Sequence, residues 1–398
     1  MVATDAAPFR SATSPDALDD LRRRLRATRW PDGPEDAGWA LGTDIGYLRE
    51  LVAYWADGFD WEAQEAALNR LPRFTVRVGG LDVHVIHARA ASSAAVSSSA
   101  AVPGRAAMPL VLSHGWPDSC WRYLEVLPLL VDPGAHGADP ADAFDVVVPD
   151  LPGFGWSGRP PTPLDSVQVA GLWAELMTTL GYERFGAAGG DLGSHVSRYL
   201  ALDHPDRVVA VHRTDGGLPS PAALPDDLTP EEQAWVREAG AWGAAEGAYA
   251  AVHRTKPQTA AAGLNDSPAG LAAWIVEKLR AWSDGDGDLE SVYTRDQVLL
   301  NLSIYWFTET IGSSMRMYAA NAAIPPAQLQ RRVEVPSGFS LFPGDILTPP
   351  RAWLERTTNL VSLTRPARGG HFAPFEQPEL YAEELRTFFR PYREGSAG

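Results

Sequence analysis

The chain has 398 residues with 50 acidic against 34 basic side chains, a formal net charge of −16. That balance leaves no basic footprint for a nucleic acid or an anionic membrane surface, which argues against both as partners. With 45% hydrophobic and 21% charged residues, the chain is globular and long enough for one elaborated domain or two. Its single cysteine, Cys120, excludes an internal disulfide and a thiol-based metal cluster, and reads as structural. Met1 to Ser14 lacks the basic and apolar regions of a secretory signal, and no stretch approaches the ~18 apolar residues of a membrane span. The cytoplasm is the expected location.

Residues 1 to about 73 read as a helical region separate from the rest of the chain. Ser14 caps a helix begun by Pro15, with Leu18, Leu21 and Leu25 on one face. Tyr47, Leu48, Leu51, Val52 and Trp55 mark a second helix, and Trp61 to Leu68 a third. Phe74, Val76 and Val78 alternate, as do Leu81, Val83 and Val85, around Gly79-Gly80, a two-residue hairpin signal. Ala88 to Ala107 is an Ala/Ser-rich surface insertion. Leu110–Leu112, Phe144–Val148, Arg184–Ala188 and Val208–Val211 read as short apolar strands, with helical patterns between them at Leu124–Leu130 and Leu172–Leu180. Such alternation predicts an α/β fold with a mainly parallel sheet covered on both faces. From 216 to 332 the pattern is helical only: Asn265-Asp266-Ser267-Pro268 starts one helix and Ser303 to Tyr318 supplies another. Sheet character returns at Gly338–Phe342 and Leu360–Leu363, and Leu380 to Phe389 closes the chain as a helix. The expected organisation is a helical N-terminal region (1–73), a core in two parts (74–215 and 333–398) and a helical cap (216–332).

The stretch that organises the chain is Gly189-Gly190-Asp191-Leu192-Gly193-Ser194, with a strand before it and a helix after it. This is the pattern of a nucleophile elbow, with Asp191 where serine is common. Ligands in such sheets bind beyond the carboxyl ends of the strands. The polar loops expected there are His114-Gly115-Trp116-Pro117, Asp150 to Gly155, the elbow, Phe342-Pro343-Gly344-Asp345 and Arg368-Gly369-Gly370-His371. Nucleophile, acid, then histidine is the chain order of the α/β-hydrolase triad, and Asp191, Asp345 and His371 fit it. Asp215, after the strand beyond the elbow, is the rival acid; Asp345 is preferred. His195, His204 and His212 lack such context and read as structural.

Across nearly its whole length the chain resembles epoxide hydrolases of the microsomal and juvenile-hormone type. Thr28-Arg29-Trp30-Pro31 and Phe59-Asp60-Trp61 resemble that family's N-terminal region. His114-Gly115-Trp116-Pro117, Gly189-Gly190-Asp191, Leu264 to Pro268, Ile304-Tyr305-Trp306 and Gly369-Gly370-His371-Phe372 resemble its other signatures, in the same order. The resemblance implies that Asp191 attacks an epoxide carbon to form an alkyl ester, which water activated by His371, oriented by Asp345, hydrolyses to a vicinal diol. It implies an oxyanion hole from the backbone N–H groups of Trp116 and Leu192. By register with the family, Tyr249 and Tyr318 are the cap tyrosines that donate to the epoxide oxygen. An epoxide has a poor leaving group, and a phenol of pKa ~10 stays protonated to assist it. No metal or cofactor is implied; the partners are an epoxide and water, and a homo-oligomer is compatible. Leu192 departs from the family, standing where a Trp often follows the nucleophile, and the N-terminal anchor of microsomal members is missing, so a soluble relative is expected. A haloalkane dehalogenase, a non-catalytic ligand-binding scaffold and a serine esterase are the competing readings. Leu192 and the tyrosines weigh against the first, the intact triad against the second, and the absence of G-x-S-x-G against the third.

Overall fold

The computed structural model describes residues 6–34, 37–91 and 107–393. A nine-stranded sheet forms the centre, in the order β1-β2-β3-β5-β4-β6-β7-β8-β9. Its strands are β1 (Ala6–Pro8), β2 (Arg73–Val78), β3 (Leu81–Ala88), β4 (Met108–Ser113), β5 (Phe144–Pro149), β6 (Phe185–Gly189), β7 (Val208–Arg213), β8 (Val333–Ser340) and β9 (Thr358–Thr364). From β5 to β9 every neighbouring pair is parallel, whereas β1, β2 and β3 add an antiparallel edge. β5 and β6 are buried at every residue, as strands covered on both faces must be. The β2–β3 hairpin turns at Gly79 (φ 53°) and Gly80 (φ 78°), where two successive positive φ values favour glycine.

Two features of the N-terminal region differ from expectation. Residues 6–8 form a strand, β1, paired antiparallel with β2. Ala-Ala-Pro carries no β-branched residue, so the pairing rests on backbone alone and leaves no pattern to read. Nor does the region stand apart. Trp55 Nε1 donates to Ser303 Oγ (3.0 Å), the Tyr54 hydroxyl to Asp296 (2.8 Å), and Thr43 Oγ1 to the Ala273 carbonyl (2.6 Å). These contacts brace the helices between β7 and β8. There the stretch expected as one helix, Ser303 to Tyr318, is two: Arg295–Thr308 and Ile311–Asn321. The break is at Glu309, left-handed at φ 52°, with the Thr308 and Thr310 hydroxyls bonded to each other across it (2.7 Å). Of the Ala/Ser-rich insertion, residues 92–106 lie outside the described residues.

The sheet order places the candidate site. From β4 the chain passes to β5 on one side, then crosses to β6 on the other, so the direction of winding reverses at β4. A crevice opens beyond the carboxyl ends of the strands at such a point. The loops after β4, β6, β8 and β9 converge there, and Gly344 bridges to Gly370 to join the last two.

Candidate active site

Asp191 is the first feature to explain, because its backbone is held at φ 56°, ψ −129°. A non-glycine residue at positive φ costs about 1–3 kcal/mol and persists only where its surroundings over-determine it. Here they do. The Asp191 N–H donates to Asp215 Oδ2 (2.7 Å), and the Asp191 carbonyl accepts from the Ser194 N–H (3.0 Å) as the helix Leu192–Asp203 begins. Gly193 presses against the Ser113 and His114 carbonyls, where a Cβ would overlap them. Asp215 also accepts from the Gly217 N–H (2.9 Å), so the rival acid fastens the elbow and does not face His371.

Three of the sequence-selected groups meet around the Asp191 carboxylate. Oδ1 accepts from the Trp116 N–H at 2.8 Å, and Oδ2 stands 3.4 Å from His371 Nε2. On the far side of the imidazole, Nδ1 donates to Asp345 Oδ1 at 2.7 Å. Burial pushes the Asp191 pKa up, but His371 and the N–H groups of Leu192 and Trp116 outweigh it and hold the group at about 2. Burial likewise opposes charge on His371, and the two carboxylates overcome it, raising the imidazole to about 10. Asp191 and His371 thus rest as a buried ion pair. His195 and His212 are kept neutral by burial, in line with structural roles.

Above this pair the helical insertion supplies a ring cluster. Tyr249 stacks on Trp116 (5.3 Å between centroids, 12° between planes), and Tyr318 meets Trp116 edge-on at 6.2 Å. The two phenols contact each other at 6.0 Å. Burial first, then the Asp191 charge, raises Tyr249 above the ordinary phenol range. Tyr318 rises with burial and with its neighbours Tyr249 and Asp191. Both therefore remain protonated donors, and their side chains hydrogen-bond to each other.

Several supporting residues escaped the sequence reading. Asp118 accepts from the Gly115 N–H (2.8 Å) and from Arg122 (2.5 Å), and Arg122 also donates to the His371 carbonyl (2.6 Å). One buried ion pair thus ties the Trp116 loop to the His371 loop; its i, i+4 spacing just after the His114–Pro117 motif was the available signal. From the helix Arg295–Thr308, Asn301 donates to the Pro117 carbonyl (2.7 Å) and Tyr305 to that of Asp118 (2.9 Å). Glu376 gathers the N–H groups of Gly370, Phe372 and Asp284. Burial lifts it to about 7 despite those donors. For a metal, the nearest set is His84, Cys120 and Asp150. Their atoms are already engaged: His84 donates to Asp150 (2.8 Å) and accepts from Arg73 (2.9 Å), and Asp150 accepts from the Cys120 N–H (2.7 Å). Burial also drives the Cys120 thiol well above its usual range, away from the thiolate a metal would need.

A mainly parallel sheet, an acid on a strand–turn–helix elbow, and an acid–histidine pair after β8 and β9 define an α/β-hydrolase. Residues 108–242 match the alpha/beta hydrolase fold family, and residues 6–123 match the family described as epoxide hydrolase N terminus. A relative from Stigmatella aurantiaca is 41% identical over 389 residues, 97% of this chain and 85% of that one. Epoxide hydrolase 1 of Sus scrofa is 33% identical over 96% of this chain and 88% of its own. The crystal structure of juvenile hormone epoxide hydrolase from Bombyx mori is similar with a TM-score of 0.86 at 28% identity, covering 97% of this chain and 94% of that one. The chain belongs to the epoxide hydrolase family and is an enzyme. Among the described residues, no helix is long and apolar enough to cross a membrane.

Proposed function

We propose that this enzyme hydrolyses an epoxide to a vicinal diol through an ester on Asp191. The observation that carries the reading is the setting of that carboxylate: Oδ1 accepts from the Trp116 N–H at 2.8 Å, whereas Oδ2 faces His371 Nε2 at 3.4 Å. Oδ2 attacks a ring carbon, the C–O bond breaks, and the departing oxygen takes a proton from Tyr249 or Tyr318. Esterification removes the Asp191 charge, one of the two influences holding the proton on His371. The imidazole then returns that proton to the tyrosinate and becomes a free base. It deprotonates water, the hydroxide adds to Cγ of Asp191, and the oxyanion forms on Oδ1 where the Trp116 and Leu192 N–H groups receive it. Collapse expels the diol, protonated by His371, and the new carboxyl group gives its proton back to the imidazole.

Single turnover in heavy-oxygen water, with enzyme in excess, tests this path. Solvent oxygen should enter the Asp191 peptide and be absent from the first diol formed. Label appearing directly in that diol would overturn the ester mechanism.

A further inference from the structure

His253 belongs to the helix Ala248–Thr255, one turn beyond Tyr249, and is fully buried. Its ring packs edge-on against Trp116 (4.7 Å), Tyr318 (4.8 Å) and Tyr249 (5.5 Å), the three rings around the candidate catalytic carboxylate. Its tautomer is settled by a neighbour. Trp274 Nε1 donates to His253 Nε2 at 3.2 Å, and an indole N–H can only donate, so Nε2 is bare and the proton of the neutral ring sits on Nδ1. Burial first, then the Lys278 charge, keeps the ring neutral by lowering it to about 3. Nδ1–H is therefore a fixed donor, yet it is enclosed with no acceptor in reach. The same ring cluster encloses two further donors without partners, the indole N–H groups of Trp116 and Trp282. Leaving a buried donor unmade is costly, and oxirane oxygen offers acceptance for the two phenols only.

We propose that His253 is a specificity-determining donor, and that the preferred substrates are epoxides bearing an acceptor oxygen, as an ether, ester or carbonyl, within a few bonds of the oxirane. This rests on the epoxide hydrolase reading and names the substrate class for it. The His253 ring packs against both phenol rings, which the proposed function assigns to the oxirane oxygen, so an acceptor met by His253 would lie within a few bonds of that oxygen.

The test compares phenyl glycidyl ether with its all-carbon isostere, phenethyl oxirane, by kcat/KM. Intrinsic reactivity cancels when the ratio of the two is compared between parent and variant. In His253→Phe, which keeps an aromatic ring and removes the donor, the preference for the ether should fall by about tenfold. In His253→Gln, whose amide can accept from Trp274 and still donate, the preference should recover. A ratio unchanged in His253→Phe, or a parallel loss on both substrates, overturns the proposal and leaves His253 a packing element with water on Nδ1. A measurement on the unaltered enzyme stands beside these: the product diol of the ether should inhibit about tenfold more tightly than the diol of the isostere, and equal inhibition overturns the proposal. If the parent opens neither epoxide, the epoxide hydrolase reading fails and this one with it, whereas turnover of both with a flat ratio defeats this one alone.

Discussion

Replacing Gly115 by alanine separates the two chemical steps. A Cβ there would stand 2.7 Å from Asp191 Cγ and closer still to Oδ1 and Cβ. Ordinary contact requires the loop to retreat by roughly 1 Å, and the Trp116 N–H bond to Oδ1, now 2.8 Å, is then lost. Removing one oxyanion donor costs about 3–4 kcal/mol, or roughly 10²–10³ in rate, where negative charge develops on that oxygen. In the proposed mechanism it develops only when hydroxide adds to the ester. Ring opening draws charge away from the carboxylate, so it does not bear this loss. Gly115→Ala should therefore accumulate the alkyl ester, visible as an Asp191 peptide carrying the substrate mass in quenched samples at steady state. Ester hydrolysis within about threefold of the parent rate, in a variant whose circular dichroism is native, would refute the assignment of Oδ1 to the oxyanion.

The tyrosines are predicted to act on the other step. Tyr249→Phe or Tyr318→Phe should slow ring opening by about 10²-fold in single-turnover kinetics, with hydrolysis of the preformed ester spared, and the double variant should not open the ring. Undiminished ring opening in the double variant would remove both phenols from the mechanism. The ion pair predicts a pH window for stability. Asp191, lowered to about 2, contributes above its unfolded value of ~3.9 and loses that contribution as pH falls through about 2. His371, raised to about 10, contributes fully below its unfolded value of ~6.5 and loses that contribution as pH rises through about 10. The melting-temperature gap between parent and Asp191→Asn should thus be widest between pH ~4 and ~6.5 and narrow on either side. A gap constant with pH would contradict the pairing.

Much of the architecture was legible because it depends on local signals. The hairpin at Gly79-Gly80, the buried runs of β5 and β6 and the helix starts at Ser14 and Ser267 are each written in a few adjacent residues. β1 was not, since Ala6–Pro8 becomes a strand only because β2 presents an open edge. The break at Glu309 was hidden because the apolar pattern runs through it, and the left-handed turn is fixed by hydroxyl bonds that no periodicity records. In the site, Asp191, Asp345 and His371 could be selected because each sits in a Gly-flanked loop after a strand. His253 could not, since its partner Trp274 is distant in sequence, nor could the role of Glu376 in joining the Asp284 backbone to the Gly370–Phe372 loop.

The Asp118–Arg122 pair shows why position matters more than strength here. Both side chains are fully buried, and the charge of each is balanced chiefly by the other. Well-packed apolar residues in place of such a pair are often neutral or stabilising, so stability alone does not account for it. Its geometry does. Asp118 holds the N–H of Gly115, Arg122 holds the carbonyl of His371, and the two are joined directly. In the proposed mechanism the oxyanion donor, the Trp116 N–H, comes one residue after Gly115, and the base is His371 itself. One link of buried hydrogen bonds thus joins the loop of the proposed oxyanion donor to the loop of the proposed base, with Asp191 between them. Asn301 and Tyr305 extend the same link into the helical insertion by fixing the carbonyls of Pro117 and Asp118. The helix Arg295–Thr308 is thereby referenced to these loops through hydrogen bonds of fixed direction, a constraint that apolar packing alone would leave free to slide.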